Sequence, residues 1–134
     1  MTRPGAPGWV VAVALTSVLL AGCTPDEGPV VELAAGRRFE PERITIRAGE
    51  TVTWVGRSED AHTVTAYRDG LPDGAPYFSS GKHRSEAAAR DDLASELLTE
   101  GETFAVRLDQ PGTYRYFCIP HEDSGMTGLV VVEG

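Results

Sequence analysis

The chain has little of what staples a small exported protein together and little of what binds most metals. Its 134 residues include two cysteines, at positions 23 and 118, three histidines and two methionines. Two thiols allow one disulfide at most and no four-cysteine zinc cluster. Positive charge is also scarce, since 12 basic side chains against 20 acidic ones give a net charge of -8. A surface of that sign repels nucleic acid, so no nucleic-acid partner is expected. Long apolar runs are missing too: the longest, Trp9 to Leu20, is too short to span a bilayer comfortably. No internal repeat or second domain is visible, and the length suits one domain with its own core.

What is present begins with a leader. Arg3 supplies a positive start, Trp9 to Leu20 an apolar stretch, and Ala21 and Gly22 a small-residue end. Leu20-Ala21-Gly22-Cys23 then matches the lipobox at which prokaryotic lipoproteins are cleaved. The expectation is a signal peptide over 1–22, a lipidated Cys23, a polar tether over 23–29 and a folded domain over 30–134. The alternative is an ordinary secretory signal with an incidental cysteine. With Cys23 carrying lipid, Cys118 has no partner, although the destination is an oxidising compartment. A lone thiol survives there only when metal or burial protects it.

The domain reads as short strands. Ile44, Ile46 and Ala48 alternate with Arg43, Thr45 and Arg47, and Gly49-Glu50 turns the chain into Thr51 to Val55. Ala61 to Ala66 is expected as a strand with His62, Val64 and Ala66 on one face. Phe104, Val106 and Leu108 share another face, Gln110-Pro111-Gly112 turns back, and Thr113 to Phe117 leads into Cys118. Thr127 to Glu133 closes the chain. About seven short strands predict an all-β fold, a Greek-key β-sandwich or flattened barrel. Residues 67–101 break the rhythm, and a helical insertion is predicted at about 84–98. Ser85 would cap it, with Ala89, Leu93 and Leu97 recurring every four residues.

The chemistry concentrates in Cys118-Ile119-Pro120-His121-Glu122-Asp123-Ser124-Gly125-Met126. A thiol, an imidazole and a thioether from one loop, joined by the distant His62, match the pattern of a His2Cys copper site with a weak axial methionine. Other readings of Cys-x-x-His are a buried structural thiol beside a surface histidine, a zinc fragment, or a nucleophile with its base. Methionine is a poor zinc ligand, and no third group is evident to orient a base. The remaining histidine, His83, lies between Lys82 and Arg84, which disfavours another cation, and is expected to be exposed.

These residues carry a resemblance. Ala48-Gly49 before Val52-Thr53-Trp54, His62-Thr63-Val64, Pro111-Gly112-Thr113-Tyr114, Tyr116-Phe117-Cys118-Ile119-Pro120-His121 and Gly125-Met126 with Gly128 resemble the cupredoxins. Within them the match is to the plastocyanin-like branch and to the halocyanin-type lipoproteins of archaea. The resemblance implies a cupredoxin-like fold over about Val30 to Gly134. It implies one type 1 copper ion cycling between Cu(I) and Cu(II), bound by His62, Cys118, His121 and Met126. It also implies an electron carrier, not an enzyme, serving membrane redox partners at the outer face of the cell membrane, with a monomer as the default. Two departures stand out: Thr63 replaces the asparagine common after the first histidine, and the 67–101 insertion is long. The tie between Thr63 and the ligand loop must therefore come from a hydroxyl or the backbone.

Electrons are expected to pass at the His121 edge beside Pro120, while Phe117 and Tyr116, adjoining Cys118, offer either a second route or simply core aromatics of the strand. The competing function is metal delivery or buffering. Delivery sites expose exchangeable Met or Cys clusters, and this chain offers only Met1 and Met126.

Overall fold

Alternating apolar and polar residues build eight strands in the computed structural model, which describes residues 28–134 together with Met1, Thr2 and Gly5. The expected signal peptide, Cys23 and most of the tether lie outside the described residues. One sheet is ordered β2 (Arg38–Glu40), β1 (Val30–Ala34), β4 (Glu50–Gly56), β6 (Thr103–Leu108). The other is ordered β3 (Arg43–Arg47), β8 (Thr127–Glu133), β7 (Gly112–Phe117), β5 (Thr65–Ala66). Each sheet is mixed: β1 runs parallel to β4 and β3 parallel to β8, while the other neighbours are antiparallel. The all-β sandwich expected from the strand pattern is therefore present. The turn at Ala48-Gly49 carries the chain from one sheet to the other, so β3 and β4 do not pair. Gly49 has φ 91°, a conformation that costs a side-chain-bearing residue.

The core lies between the sheets. Trp54 is fully buried and meets the edge of Tyr116 at 5.3 Å between ring centroids, and Tyr116 in turn meets Phe39 at 4.7 Å. Burying a large apolar side chain contributes about 1.5–3 kcal/mol, and edge-to-face contacts add to it. Gly128 on β8 makes room for this layer, because a Cβ there would lie 2.3 Å from the Tyr116 ring.

Two expectations about local structure are corrected. Only Thr65–Ala66 of the expected Ala61–Ala66 strand is regular, and residues 62–66 are all buried instead of alternating. The insertion closes the outer edge of this segment, which pairs with β7 on its other side. His62 bridges to Leu98 and Thr65 bridges to Ser79, both in the insertion. The predicted helix forms as two pieces, α1 (Glu86–Asp91) and α2 (Leu93–Glu96), broken at Asp92 with φ -120° and ψ 61°. Ser85 caps α1 as expected, its hydroxyl accepting from Ala88 N at 3.2 Å.

The break also changes which face is covered. Ala89 is buried, but Leu97 is exposed and Glu96 is fully buried in its place. Ser79 Oγ donates to Glu96 Oε1 at 2.6 Å and Ser80 Oγ reaches Oε2 at 3.1 Å. A buried carboxylate needs such donors to offset lost hydration. His83, expected to be exposed, is half-buried against the same group, with Nε2 2.9 Å from Ser95 Oγ and 3.8 Å from Glu96 Oε1.

Candidate metal centre

Two segments far apart in the chain meet at one end of the sandwich. His62 precedes β5, and Cys118 and His121 follow β7, which pairs with β5 in register Thr65 to Phe117. That pairing brings the His62 side chain within reach of the Cys118 sulfur. Cys118 Sγ lies 3.8 Å from His62 Nδ1 and 3.4 Å from His121 Nδ1, and the two Nδ1 atoms are 3.2 Å apart. All three donor atoms fall within 4.8 Å of one another. His62 and Cys118 are fully buried and His121 is half-buried.

The loop is shaped by its own sequence. Pro120, which lacks an N–H, suits the first turn of the short 3-10 helix Ile119–Ser124. Gly125 ends that turn in the left-handed region at φ 80°. Met126 N then donates to His121 O at 3.2 Å and Cys118 N to Met126 O at 3.0 Å. Met126 is thereby folded back beneath the loop, 1% exposed.

Surrounding polar groups orient the donors. His62 Nε2 lies 2.8 Å from Ser58 Oγ, and the Ser58 hydroxyl donates onward to Asp60 O at 3.3 Å. With its hydrogen so committed, Ser58 accepts the Nε2 proton, which leaves the Nδ1 lone pair aimed at Cys118 and His121. Thr63 acts twice: its N–H donates to Cys118 Sγ at 3.3 Å, and its Oγ1 accepts from Ile119 N at 2.8 Å. Hydroxyl and backbone together thus supply the tie that the missing asparagine left open.

The electrostatics favour neutral imidazoles and discourage a free thiolate. Burial lowers the pKa of His62, and the nearby His121 lowers it further. Burial likewise lowers that of His121, with Arg37 adding to the effect. Burial raises the Cys118 thiol, opposed by the N–H of Thr63. Two imidazole lone pairs and a sulfur that is costly to ionise face one another across less than 4 Å. A cation among them would satisfy all three, and a soft thiolate with two borderline imidazoles suits copper better than harder ions. The residues present therefore fit the ion that the donor pattern predicts.

Of the other residues singled out, Pro120 is exposed at the rim beside His121. Phe117 is fully buried, stacked on Tyr67 at 4.3 Å with the Arg90 guanidinium 4.3 Å from its ring centroid. His83 stays with the insertion and apart from the His62, Cys118 and His121 group. Sequence reasoning missed Ser58. It stands four residues before His62 in the polar run Arg57-Ser58-Glu59-Asp60, and nothing in that run marks it as a partner of the imidazole.

Comparison with known proteins agrees with this geometry. The model of a family described as copper-binding proteins of the plastocyanin/azurin type matches residues 31–133. Plastocyanin of Scenedesmus fuscus is 39% identical over 95 residues, covering 71% of this chain and 86% of the relative. Chloroplastic plastocyanin of Chlamydomonas reinhardtii is 32% identical over 124 residues, covering 92% of this chain and 76% of the relative. Among solved structures, oxidised plastocyanin of Dryopteris crassirhizoma superposes with a TM-score of 0.56 at 28% identity. It covers 78% of this chain and 99% of that one. The Cu(I) form of an amicyanin mutant gives a TM-score of 0.59 at 25% identity, with 82% and 86% covered.

Proposed function

The chain belongs to the plastocyanin/azurin family of copper-binding proteins, and on that premise we propose that it carries single electrons between membrane redox partners at the outer face of the cell membrane. It is a plastocyanin-like blue copper electron-transfer protein. The residues that would hold copper are His62 through Nδ1, Cys118 through Sγ and His121 through Nδ1, with Met126 as a further, weaker donor. The observation that carries this reading is the convergence of the first three donor atoms within 4.8 Å from two distant segments.

Copper held there supplies one-electron exchange between Cu(I) and Cu(II). The chain's own contribution is to keep the donors still. Ser58 fixes the His62 ring, Thr63 ties residue 62 to the ligand loop, and Met126 closes that loop by two backbone hydrogen bonds. Donors that do not rearrange lower the cost of changing oxidation state. Thr63 N–H also stabilises negative charge on the Cys118 sulfur, while Pro120 offers none from the loop. His121, half-buried beside exposed Pro120, is the main access point for electrons, whereas Phe117 is buried beneath Tyr67 and Arg90. A buried site of this kind also argues against metal delivery, which needs donors open to exchange.

The membrane reading rests on Leu20-Ala21-Gly22-Cys23, which also supports the halocyanin-type, lipid-anchored form. In cells that make the protein, the mature chain is expected to begin at a lipid-modified Cys23 and to sediment with membranes, and Cys23→Ala should release it. Those membranes should reoxidise or reduce the added copper protein within a turnover assay. A mature protein that starts elsewhere and stays soluble would overturn the anchor, and membranes that exchange no electrons with it would overturn the partners.

A further inference from the structure

The insertion between β5 and β6 touches the metal centre on both of its imidazole sides. On the His62 side the contact is backbone: Leu98 N donates to His62 O at 2.7 Å and His62 N to Leu98 O at 3.0 Å. On the His121 side it is made by charge. Arg90 of α1 presents Nη1 to Glu122 Oε2 at 2.7 Å and Nη2 to Glu122 Oε1 at 3.1 Å, a two-pronged grip on the residue that follows His121. The Tyr67 hydroxyl donates to the same Oε1 at 3.0 Å. Arg90 is itself held by Glu86 Oε1, at 2.9 Å from Nε and 2.7 Å from Nη2. Its guanidinium also lies 4.3 Å from the centroid of Phe117, the residue before Cys118.

An isolated exposed ion pair contributes little. This one is forked, shared between two carboxylates, set on an aromatic face, and its side chains are only 36%, 21% and 30% exposed at Arg90, Glu86 and Glu122. Forked, stacked guanidinium contacts are those that a lysine or a lone charge cannot reproduce. The turn that carries His121 is a single short 3-10 helix. A turn of that kind holds its shape poorly by itself.

We propose that Arg90 is a positioning residue for the metal centre: with Glu122 and Tyr67 it clamps the 119–124 turn to the insertion and so holds His121 in place. The proposal rests on the reading of His62, Cys118 and His121 as copper ligands. It gives the insertion a role at the site, through the neighbours of two ligands on one side and through Leu98 on the other. Holding the donors before metal arrives slows metal loss and limits rearrangement during electron transfer.

The test compares Arg90→Leu, Glu122→Leu and the double variant with the unmodified chain. One readout is the rate of copper loss to excess chelator, followed by the thiolate–copper band. The other is amide hydrogen exchange at residues 121–125 of the metal-free protein. Each single variant is expected to speed copper loss roughly fivefold and to speed exchange in the turn, and the double variant to be no faster than the faster single, as for two ends of one contact. Arg107→Leu, which breaks the distant surface pair Arg107 to Asp109, should change neither readout. Unchanged loss and exchange in the two single variants, or effects that multiply in the double, would overturn the clamp. If the unmodified chain shows no thiolate–copper band, the copper reading falls, and metal-free exchange still decides whether Arg90 orders the turn.

Discussion

The 118–126 loop and the 67–101 insertion sit against the same centre and work in opposite ways. The loop offers side-chain donors, and almost every residue in it has a chemical reason to be there: a thiol, a proline at a turn start, an imidazole, a glycine in the left-handed region, a thioether. The insertion offers no donor. It meets His62 through the Leu98 backbone and the His121 turn through Arg90, and it is anchored by a buried carboxylate, Glu96. The difference teaches that a centre can depend on a region that contributes nothing to its ligand chemistry. Damage in the loop should therefore abolish the signal of the metal, while damage in the insertion should first reduce stability.

The largest effect that separates the two is Cys118→Ser. It removes the thiolate and should abolish the intense visible band altogether, while circular dichroism of the sandwich is retained. An intense band that persists would mean that Cys118 is not the sulfur donor.

Glu96→Ala comes next and should act on the fold instead. Ser79 loses its acceptor, while the Ser80 hydroxyl keeps the Glu96 backbone carbonyl at 2.6 Å, and the buried side chain leaves a gap, which together should cost about 2–4 kcal/mol in urea unfolding. Copper bound to the variant should keep its spectrum, and a colourless but stable variant would erase the contrast between the regions.

Thr63→Val tests the boundary between them. It strands the Ile119 N–H, now satisfied at 2.8 Å, and should cost about 1–3 kcal/mol. Thr63→Ser should recover most of that loss by the same unfolding measurement.

Metal removal exposes a pH effect of known sign. The pKa of His62 is lowered from 6.5 by burial and by His121, so the folded metal-free chain binds fewer protons than the unfolded chain. Its stability is thus fully present above 6.5 and is lost as pH falls from there through the lowered folded value. Denaturation of the metal-free protein from pH 8 to about pH 5 should show that decline, and bound copper should suppress it. The smallest effect belongs to Arg107→Leu. Its partner Asp109 is 70% exposed, and the change should stay within about 0.5 kcal/mol.

How much of this was legible depends on whether a residue's role is local. His62, Cys118 and His121, whose donor atoms the fold brings within 4.8 Å, could be picked out as candidates because donor chemistry is a property of the residue and the loop spacing is short. The two sheets followed from alternation at Arg43–Arg47 and Thr103–Leu108. The insertion was read as a helix from the four-residue recurrence of Ala89, Leu93 and Leu97, and Ser85 marked its start correctly. The break at Asp92 escaped that reading, and so did the end of α2 at Glu96, after which Leu97 is extended and exposed while Glu96 is buried. A buried glutamate satisfied by two serines 16 and 17 residues upstream has no sequence period to announce it. Ser58 and Arg90 were illegible for the same reason, since Ser58 meets His62 and Arg90 meets Glu122 through contacts that only the folded chain creates.

The most direct test of the central claim is the visible spectrum of the copper-loaded, oxidised protein before and after ascorbate. A thiolate from Cys118 beside two imidazoles predicts an intense band at ~600 nm that bleaches on reduction and returns on reoxidation. A protein that binds copper and stays colourless would contradict the assignment of Cys118, and with it the account of this chain as an electron carrier.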